Sequence, residues 1–373
     1  MHEESALKYV ASAGVDTIVS LPCDRTQSLQ SLIQDSFRQI TVMREEDGGV
    51  GLCAGLFLAG NRPMMHIQSS GIGTMLYAIM SLPVPYELPL PVLTSWRGIH
   101  RERVEVQMPF NIHLPPDLLD ALDIVYTVIH EAGDLDRIEG AIGDAFEHHR
   151  PHIILVSPPK VWEGIGGTAG TPPAPPRALP PPRSREIALA YERTITEPSW
   201  RRADAISAVA SLLTRELVVS NLGGVPTDEL YAARDRPENF YMMGGSYTQA
   251  TPIGLGGLAL GQDRDVVVFD GDGSLLGTAI LPVVAAEAPK NLTIIALDNG
   301  TFGSTGDQLT HAYGIADLEL LARGQVLLVH VRYRMRGTSG WHIVPGSQDP
   351  PHPCSDRTRQ CKCAGYSLPG TGD

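Results

Sequence analysis

Short apolar, β-branched runs alternate with amphipathic segments through residues 1–157. The runs are DTIVSL (16–21), QITVM (39–43), PMMHIQ (63–68), LPVLTS (90–95), IVYTVI (124–129) and HIILVS (152–157). Between them stand ALKYVASAG, EEDGGVGLCAGLFLAG, TMLYAIMSL and LDRIEGAIGDAFEHH, which have helical patterns. Strands this apolar, separated by amphipathic helices, predict an α/β domain with a mostly parallel sheet flanked by helices.

The pattern stops at residues 158–199, where TPPAPPRALPPPRS (171–184) predicts a semi-extended linker of polyproline type. It then resumes. Helix DAISAVASLLT leads into strand ELVVSNL (216–222), a Gly-rich stretch, strand DVVVFD (265–270) and helix TAILPVVAAEA. Strand NLTIIALDN (291–299), helix LELLARG and strand QVLLVHV (325–331) complete a second α/β domain over 200–331. Residues 332–373 have no apolar period and carry six Lys/Arg against three Asp/Glu, whereas the whole chain has a net charge of −13. That reversal predicts a disordered tail or an altered reading frame. His352, Cys354, Cys361 and Cys363 lie there without the paired CxxC spacing of a zinc module.

Composition narrows the class. Hydrophobic residues at 43% and charged residues at 19% over 373 residues describe a globular chain long enough for two cores. The negative charge argues against nucleic acid as a partner, since that needs a basic face. An anionic ligand would have to be met by local cations, metals or helix N-termini. The apolar runs are too short to span a bilayer, and the start MHEESALKYV has no secretory character, so the expected location is cytoplasmic and away from membranes. Five cysteines, two isolated and three crowded at the C-terminus, form no disulfide framework.

The chemistry concentrates in the second domain. Asp272 follows a strand between two glycines in DGDGS, and Asn299 ends the next strand with one predicted helix between them. Successive parallel strands open their C-terminal ends on one crevice, where ligands bind. A carboxylate, an amide oxygen and the Thr301 carbonyl make a hard, oxygen-only half-shell suited to Mg²⁺ and a diphosphate. Acidic turns at strand ends are common, so Asp272 alone says little.

GDGSLL (271–276) followed by DNGTFGSTGDQ (298–308) resembles the signature of the thiamine diphosphate enzymes. MMGGSYTQATPIGLGGLALG (242–261) is similar to the segment that lines the cofactor in that family. The resemblance implies two thiamine diphosphate-binding-type domains, with Asp272, Asn299 and Thr301 as metal ligands. It also implies Gly271, Gly273, Ser274, Tyr247 and Gly303 around the cofactor. At Tyr247 the family usually has Met, Leu or Ile, and Thr248 replaces a glycine, so either a bulky wedge is tolerated or activity is weakened.

The family also needs an acid that activates the aminopyrimidine, in a helix of the form E-x8-G-[YF]. In VMREEDGGVGLCAGLFLAG (42–60) that spacing selects Glu46, with Glu45 second; both could instead simply complement a helix N-terminus. LPCDRTQSL, IQSSGIGTMLYAIMSL and PYELPLPVLTSWRG resemble the α chain of the sulfopyruvate decarboxylases, and the second domain their β chain. The chain therefore looks like a fused form of that family, with the phosphonopyruvate decarboxylases as runner-up. The resemblance implies Mg²⁺-dependent decarboxylation of a small anionic 2-oxo acid, 3-sulfopyruvate, in coenzyme M synthesis. It further implies a homodimer or higher homo-oligomer, with the two domains paired within or between chains. Arg97 is the candidate cation for the sulfonate, with Ser69 and Ser70 as donors; an Arg after a strand and a Ser-Ser-Gly turn are otherwise ordinary surface features.

Overall fold

A computed structural model describes residues 1–99, 106–163, 200–221, 226–243, 246–313, 315–325, 328–332 and 362–367. Side chains are described for these except residues 24, 46, 47, 116, 257–259, 328–332 and 362–367. The chain divides into two compact units, residues 1–184 with 256–262, and 185–255 with 263–373. Most of the expected linker, 164–199, lies outside the described residues.

In the first unit α1 (His2–Ser12) leads to β1 (Thr17–Ser20), α2 (Gln27–Ser36) and β2 (Arg38–Thr41). A wide helical turn, Glu45–Gly51, runs into α3 (Leu52–Leu58), β3 (Pro63–Gln68), α4 (Ser70–Ser81) and β4 (Leu90–Ser95). Then come β5 (Val125–Ile129), α5 (Arg137–Glu147) and β6 (Pro151–Val156). The sheet order is β2-β1-β3-β4-β6-β5 with every pairing parallel. All six residues of β4 and of β6 are buried, as a sheet covered on both faces demands. Ile18, Met64, Leu93 and Ile154 of the strands pack with Leu7, Val10, Ile138 and Ile142 of α1 and α5.

The second unit contains α6 (Arg202–Leu212), β7 (Leu217–Ser220), α7 (Pro226–Ala233), β8 (Asn239–Tyr241), α8 (Ala250–Ile253) and β9 (Val266–Gly271). It continues through α9 (Asp272–Gly277), α10 (Leu281–Glu287), β10 (Leu292–Asp298) and the two-residue hairpin arms β11 (Thr301–Phe302) and β12 (Gln308–Leu309). Last are α11 (Leu318–Gly324), β13 (Leu328–Arg332) and β14 (Lys362–Ser367). Its sheet runs β13-β14-β10-β9-β7-β8, parallel among β10, β9, β7 and β8. Val218, Val267, Phe269, Ile295 and Leu297 form the core with Ala205, Ile206 and Leu230.

Two features depart from the sequence pattern. The single helix expected between Asp272 and β10 is two short ones, because residues 278–280 leave the helix and Pro282 opens the second. Lys362–Ser367, in the segment expected to be unstructured, forms a strand antiparallel to both β10 and β13. The remaining residues from 333 onward, including His352, Cys354 and Cys361, lie outside the described residues.

Candidate functional site

Strands β9 and β10 lie side by side, with Asp270 opposite Ala296 and Gly271 opposite Leu297, so the turns that follow them open at one end of the sheet. A cavity of about 410 Å³ sits there. Its wall includes Gly271, Asp272, Gly273 and Ser274 from the first turn, and Asn299, Thr301 and Gly303 from the second. Tyr247 joins them, so every cofactor and metal candidate named from the sequence faces one space.

The oxygens within it are arranged for a cation. Asp272 is buried, and its Oδ2 accepts a hydrogen bond from the Thr310 hydroxyl. Asn299 Oδ1 faces Asp272 Oδ1 at 3.0 Å and the Thr301 carbonyl oxygen at 2.9 Å, with no donor between them. Three such oxygens repel one another. A carboxamide turned by 180° would satisfy them by donating to both, and so would a cation. Oxygens at adjacent corners of an Mg²⁺ octahedron, with bonds of about 2.0–2.1 Å, lie about 2.9 Å apart, which matches these separations. Burial pushes the Asp272 carboxyl up to about 6; the Thr310 hydrogen bond opposes that and nearby Asp298 adds to it. A bound cation reverses this balance and keeps the carboxylate ionised.

The surroundings fit a diphosphate. A Cβ added to Gly271 would meet nothing within 4 Å, so the bare backbone is open to an incoming ligand. Gly273 is different: a Cβ there would come within 2.7 Å of the Phe302 ring, so the glycine is set by close packing. The Ser274 hydroxyl, beside Asp270, is buried without a hydrogen bond of standard geometry. Tyr247 is half-exposed, and its hydroxyl lies against Gly277.

Sequence reasoning missed three residues here. Arg202, at the start of α6, is the cavity wall's one Lys or Arg among the described residues. Its Nε and Nη2 donate to Glu229 at 2.7 and 2.8 Å, while Nη1 lies towards Gly303. Asn221 lines the cavity just after β7 and donates to the Tyr247 carbonyl at 3.0 Å and to Asp270. Asp270 itself is fully buried and also accepts from Thr251 Oγ1 (2.5 Å) and the Gly271 N–H (2.9 Å). It thus ties three chain segments beneath the cavity. Burial pushes its carboxyl up to about 6, opposed by the hydrogen bonds from Thr251 and Asn221 and by the nearby Ser274 hydroxyl. Asn221 had a signal, as a polar strand end; Arg202 had none.

The other candidates stand in the first unit. Glu46 belongs to the helical turn before α3, and its side chain lies outside the described residues. Glu45 is turned towards α4: Thr74 Oγ1 donates to its Oε2 at 3.2 Å, and a Cβ on Gly71 would come within 2.5 Å of its Oε1. Arg97 is buried at the end of β4, where Nη1 donates to Gln68 Oε1 at 3.1 Å. Ser69 donates its proton to Asn111 Oδ1 (2.7 Å) and accepts the Arg97 N–H (3.2 Å), so it braces this corner. Ser70 Oγ accepts from Gln68 Nε2. Cys23 is buried nearby with its thiol pushed up by desolvation, the character of a packing residue rather than a nucleophile. Among the described residues no group of three or more His, Cys, Asp or Glu side chains forms a metal site, and no helix is long and apolar enough to cross a membrane.

Comparisons with known proteins agree with this geometry. Residues 227–320 match the family described as "Thiamine pyrophosphate enzyme, C-terminal TPP binding domain". The chain is 47% identical over 325 residues to a sulfopyruvate decarboxylase of Methanosarcina acetivorans, covering 86% of this chain and 81% of that protein. It is 32% identical over 302 residues to a phosphonopyruvate decarboxylase of Streptomyces viridochromogenes, covering 80% of this chain and 73% of the relative. Shorter relatives named as separate alpha and beta subunits of sulfopyruvate decarboxylase match about a third of the chain each. A crystal structure from Mycobacterium smegmatis, assigned to the thiamin diphosphate-dependent enzymes, has the same fold with a TM-score of 0.62 at 13% identity, over 87% of this chain and 93% of that one. The chain belongs to the sulfopyruvate decarboxylase family of thiamine pyrophosphate-dependent carboxy-lyases.

Proposed function

We propose that the protein decarboxylates 3-sulfopyruvate to sulfoacetaldehyde and CO₂, using thiamine diphosphate and Mg²⁺ held in the second unit. The observation that carries this is the convergence of Asp272, Asn299 and Thr301 oxygens beside the open backbone of Gly271. Those three residues would hold Mg²⁺. Gly271, Gly273, Ser274 and Gly303 would face the diphosphate, with Arg202 as a cation of the wall and Tyr247 against the rest of the cofactor. When bound, the cofactor supplies the electron sink that lets a 2-oxo acid lose CO₂.

Glu46 would hydrogen-bond the aminopyrimidine and move its proton. Arg97 and Ser70 would receive the sulfonate, with Ser69 holding the Arg97 backbone. Overall, C1 leaves as CO₂ and a proton takes its place on C2, so atoms and charge balance. The higher identity to the sulfopyruvate enzyme favours a sulfonate over a phosphonate head. A homodimer or larger homo-oligomer is the assembly we propose, supported by relatives built from two kinds of subunit. The cytoplasm is the proposed location.

CO₂ release from sulfopyruvate and from phosphonopyruvate, with both cofactors present, tests the proposal. Faster turnover of sulfopyruvate is expected; faster turnover of phosphonopyruvate would reassign the head group. A second reading, an impaired cofactor-binding paralogue, is favoured by Tyr247 standing in the cavity wall. Tight cofactor binding with no turnover of either acid would select it.

A further inference from the structure

The two oxygens of Asp272 are treated differently. Oδ1 faces Asn299 and Thr301, whereas Oδ2 is occupied by Thr310, 38 residues further along the chain. Thr310 follows β12, the return arm of the hairpin, and is 4% exposed. Its N–H donates to the Gly300 carbonyl at 2.9 Å, which closes the loop that carries Asn299 and Thr301. Its Oγ1 also accepts the Ala312 N–H at 3.3 Å. A hydroxyl has one proton. With an acceptor position of Thr310 used by Ala312, that proton goes to Asp272.

The same arm bears on which way the Asn299 carboxamide stands, because in the turned orientation its oxygen would take the Thr301 hydroxyl proton away from Asp307 and its NH₂ would face Asp272. Asp307 Oδ1 accepts the Thr301 hydroxyl proton at 3.2 Å, so Thr301 Oγ1 is left to accept Asn299 Nδ2 at 2.8 Å. As long as Thr301 donates to Asp307, the NH₂ of Asn299 is held away from Asp272 and its oxygen towards it. Asp307 has φ +61°, a backbone conformation that Asp and Asn tolerate better than most residues. The segment GDQLT (306–310) thus has a physical role at the site.

We propose that Asp307 and Thr310 are positioning residues for the metal: Thr310 fixes Asp272 to offer one oxygen, and Asp307 turns the Asn299 oxygen into the same point. The inference rests on the thiamine diphosphate and Mg²⁺ reading of the cavity. Neither residue is a ligand; each acts through one, as partners of metal ligands do, and losing such a partner costs about 10–100-fold in metal affinity.

The test is a Mg²⁺ titration of thiamine diphosphate binding to the full chain, read by calorimetry or tryptophan fluorescence. Thr310→Val and Asp307→Ala should each raise the half-saturating Mg²⁺ concentration about 10–100-fold, with cofactor binding recovered at saturating metal. Thr310→Ser and Asp307→Asn, which keep the hydroxyl donor and the acceptor oxygen, should restore the wild-type value. Melting of the metal-free proteins separates positioning from structure. A lowered melting temperature with unchanged Mg²⁺ half-saturation in Thr310→Val and Asp307→Ala would overturn the inference and leave the cofactor reading standing. Absence of any Mg²⁺-dependent cofactor binding by the wild type would overturn both.

Discussion

Asp270 offers the sharpest test of how the cavity floor is held. It accepts Asn221 Nδ2, the Thr251 hydroxyl and the Gly271 N–H at zero exposure, so Asp270→Ala strands three donors at once. Each buried donor left without a partner costs about 1–3 kcal/mol. The sum, about 3–9 kcal/mol, is comparable with the 5–15 kcal/mol that stabilises a typical domain. Asp270→Asn keeps one carbonyl acceptor, which Asn221 and Gly271 can share, and the Thr251 hydroxyl can turn to accept from the new amide. Its expected cost is about 1–3 kcal/mol, one charge-assisted hydrogen bond. Urea unfolding, followed alongside thiamine diphosphate binding at saturating Mg²⁺, measures both consequences. The alanine variant should unfold the second unit or lose cofactor binding, and the asparagine variant should bind weakly but remain folded. An alanine variant within about 1 kcal/mol of wild type, with unchanged cofactor affinity, would refute the claim that Asp270 ties the floor together.

Arg202→Gln removes the wall's one Lys or Arg among the described residues and should weaken thiamine diphosphate binding about tenfold, the worth of a charge-assisted hydrogen bond to phosphate; equal affinity by calorimetry would show that Arg202 serves only Glu229. Gly71→Ala brings a methyl to within 2.5 Å of Glu45 Oε1, so the flexible Glu45 side chain should swing off Thr74 with stability changed by less than about 1 kcal/mol; a loss of about 3 kcal/mol would show that Glu45 is held in place. Burial pushes the fully buried His66 down to about 4 from an ordinary 6.5. The folded state therefore binds fewer protons, so its stability contribution is complete above pH 6.5 and falls as pH drops towards 4, by about 3 kcal/mol. His66→Gln should flatten that part of the urea-stability profile, and an unchanged slope would count against the buried neutral imidazole.

Legibility in the sequence followed how local each feature is. DGDGS and DNGT place a turn, a carboxylate and an amide within a few residues of a strand end, and those candidates do share one cavity. The parallel sheet of the first unit was equally plain, because its central strands β4 and β6 are buried and mostly apolar. Arg202 reaches the site from another segment and carries no motif of its own, so only topology reveals it, while the contacts of Asn221 and Thr310 become plain only in the fold. Asp270, at a strand end, has its role set by two donors from other segments, Asn221 and Thr251, which no local pattern announces. Strand β14 was invisible for a different reason: KCAGYS has no alternation, and its pairing with β10 and β13 spans long stretches of chain. The assignment of 256–262 to the first unit likewise has no sign in its glycine-rich composition.

The most direct measurement is CO₂ release from 3-sulfopyruvate by the full chain, with and without thiamine diphosphate and Mg²⁺, beside the Asp272→Ala variant. Turnover that requires both additions, is abolished by chelating the metal, recovers with Mg²⁺ and is lost in Asp272→Ala is the result expected. Turnover that persists without metal, or an Asp272→Ala protein as active as wild type, would contradict the account.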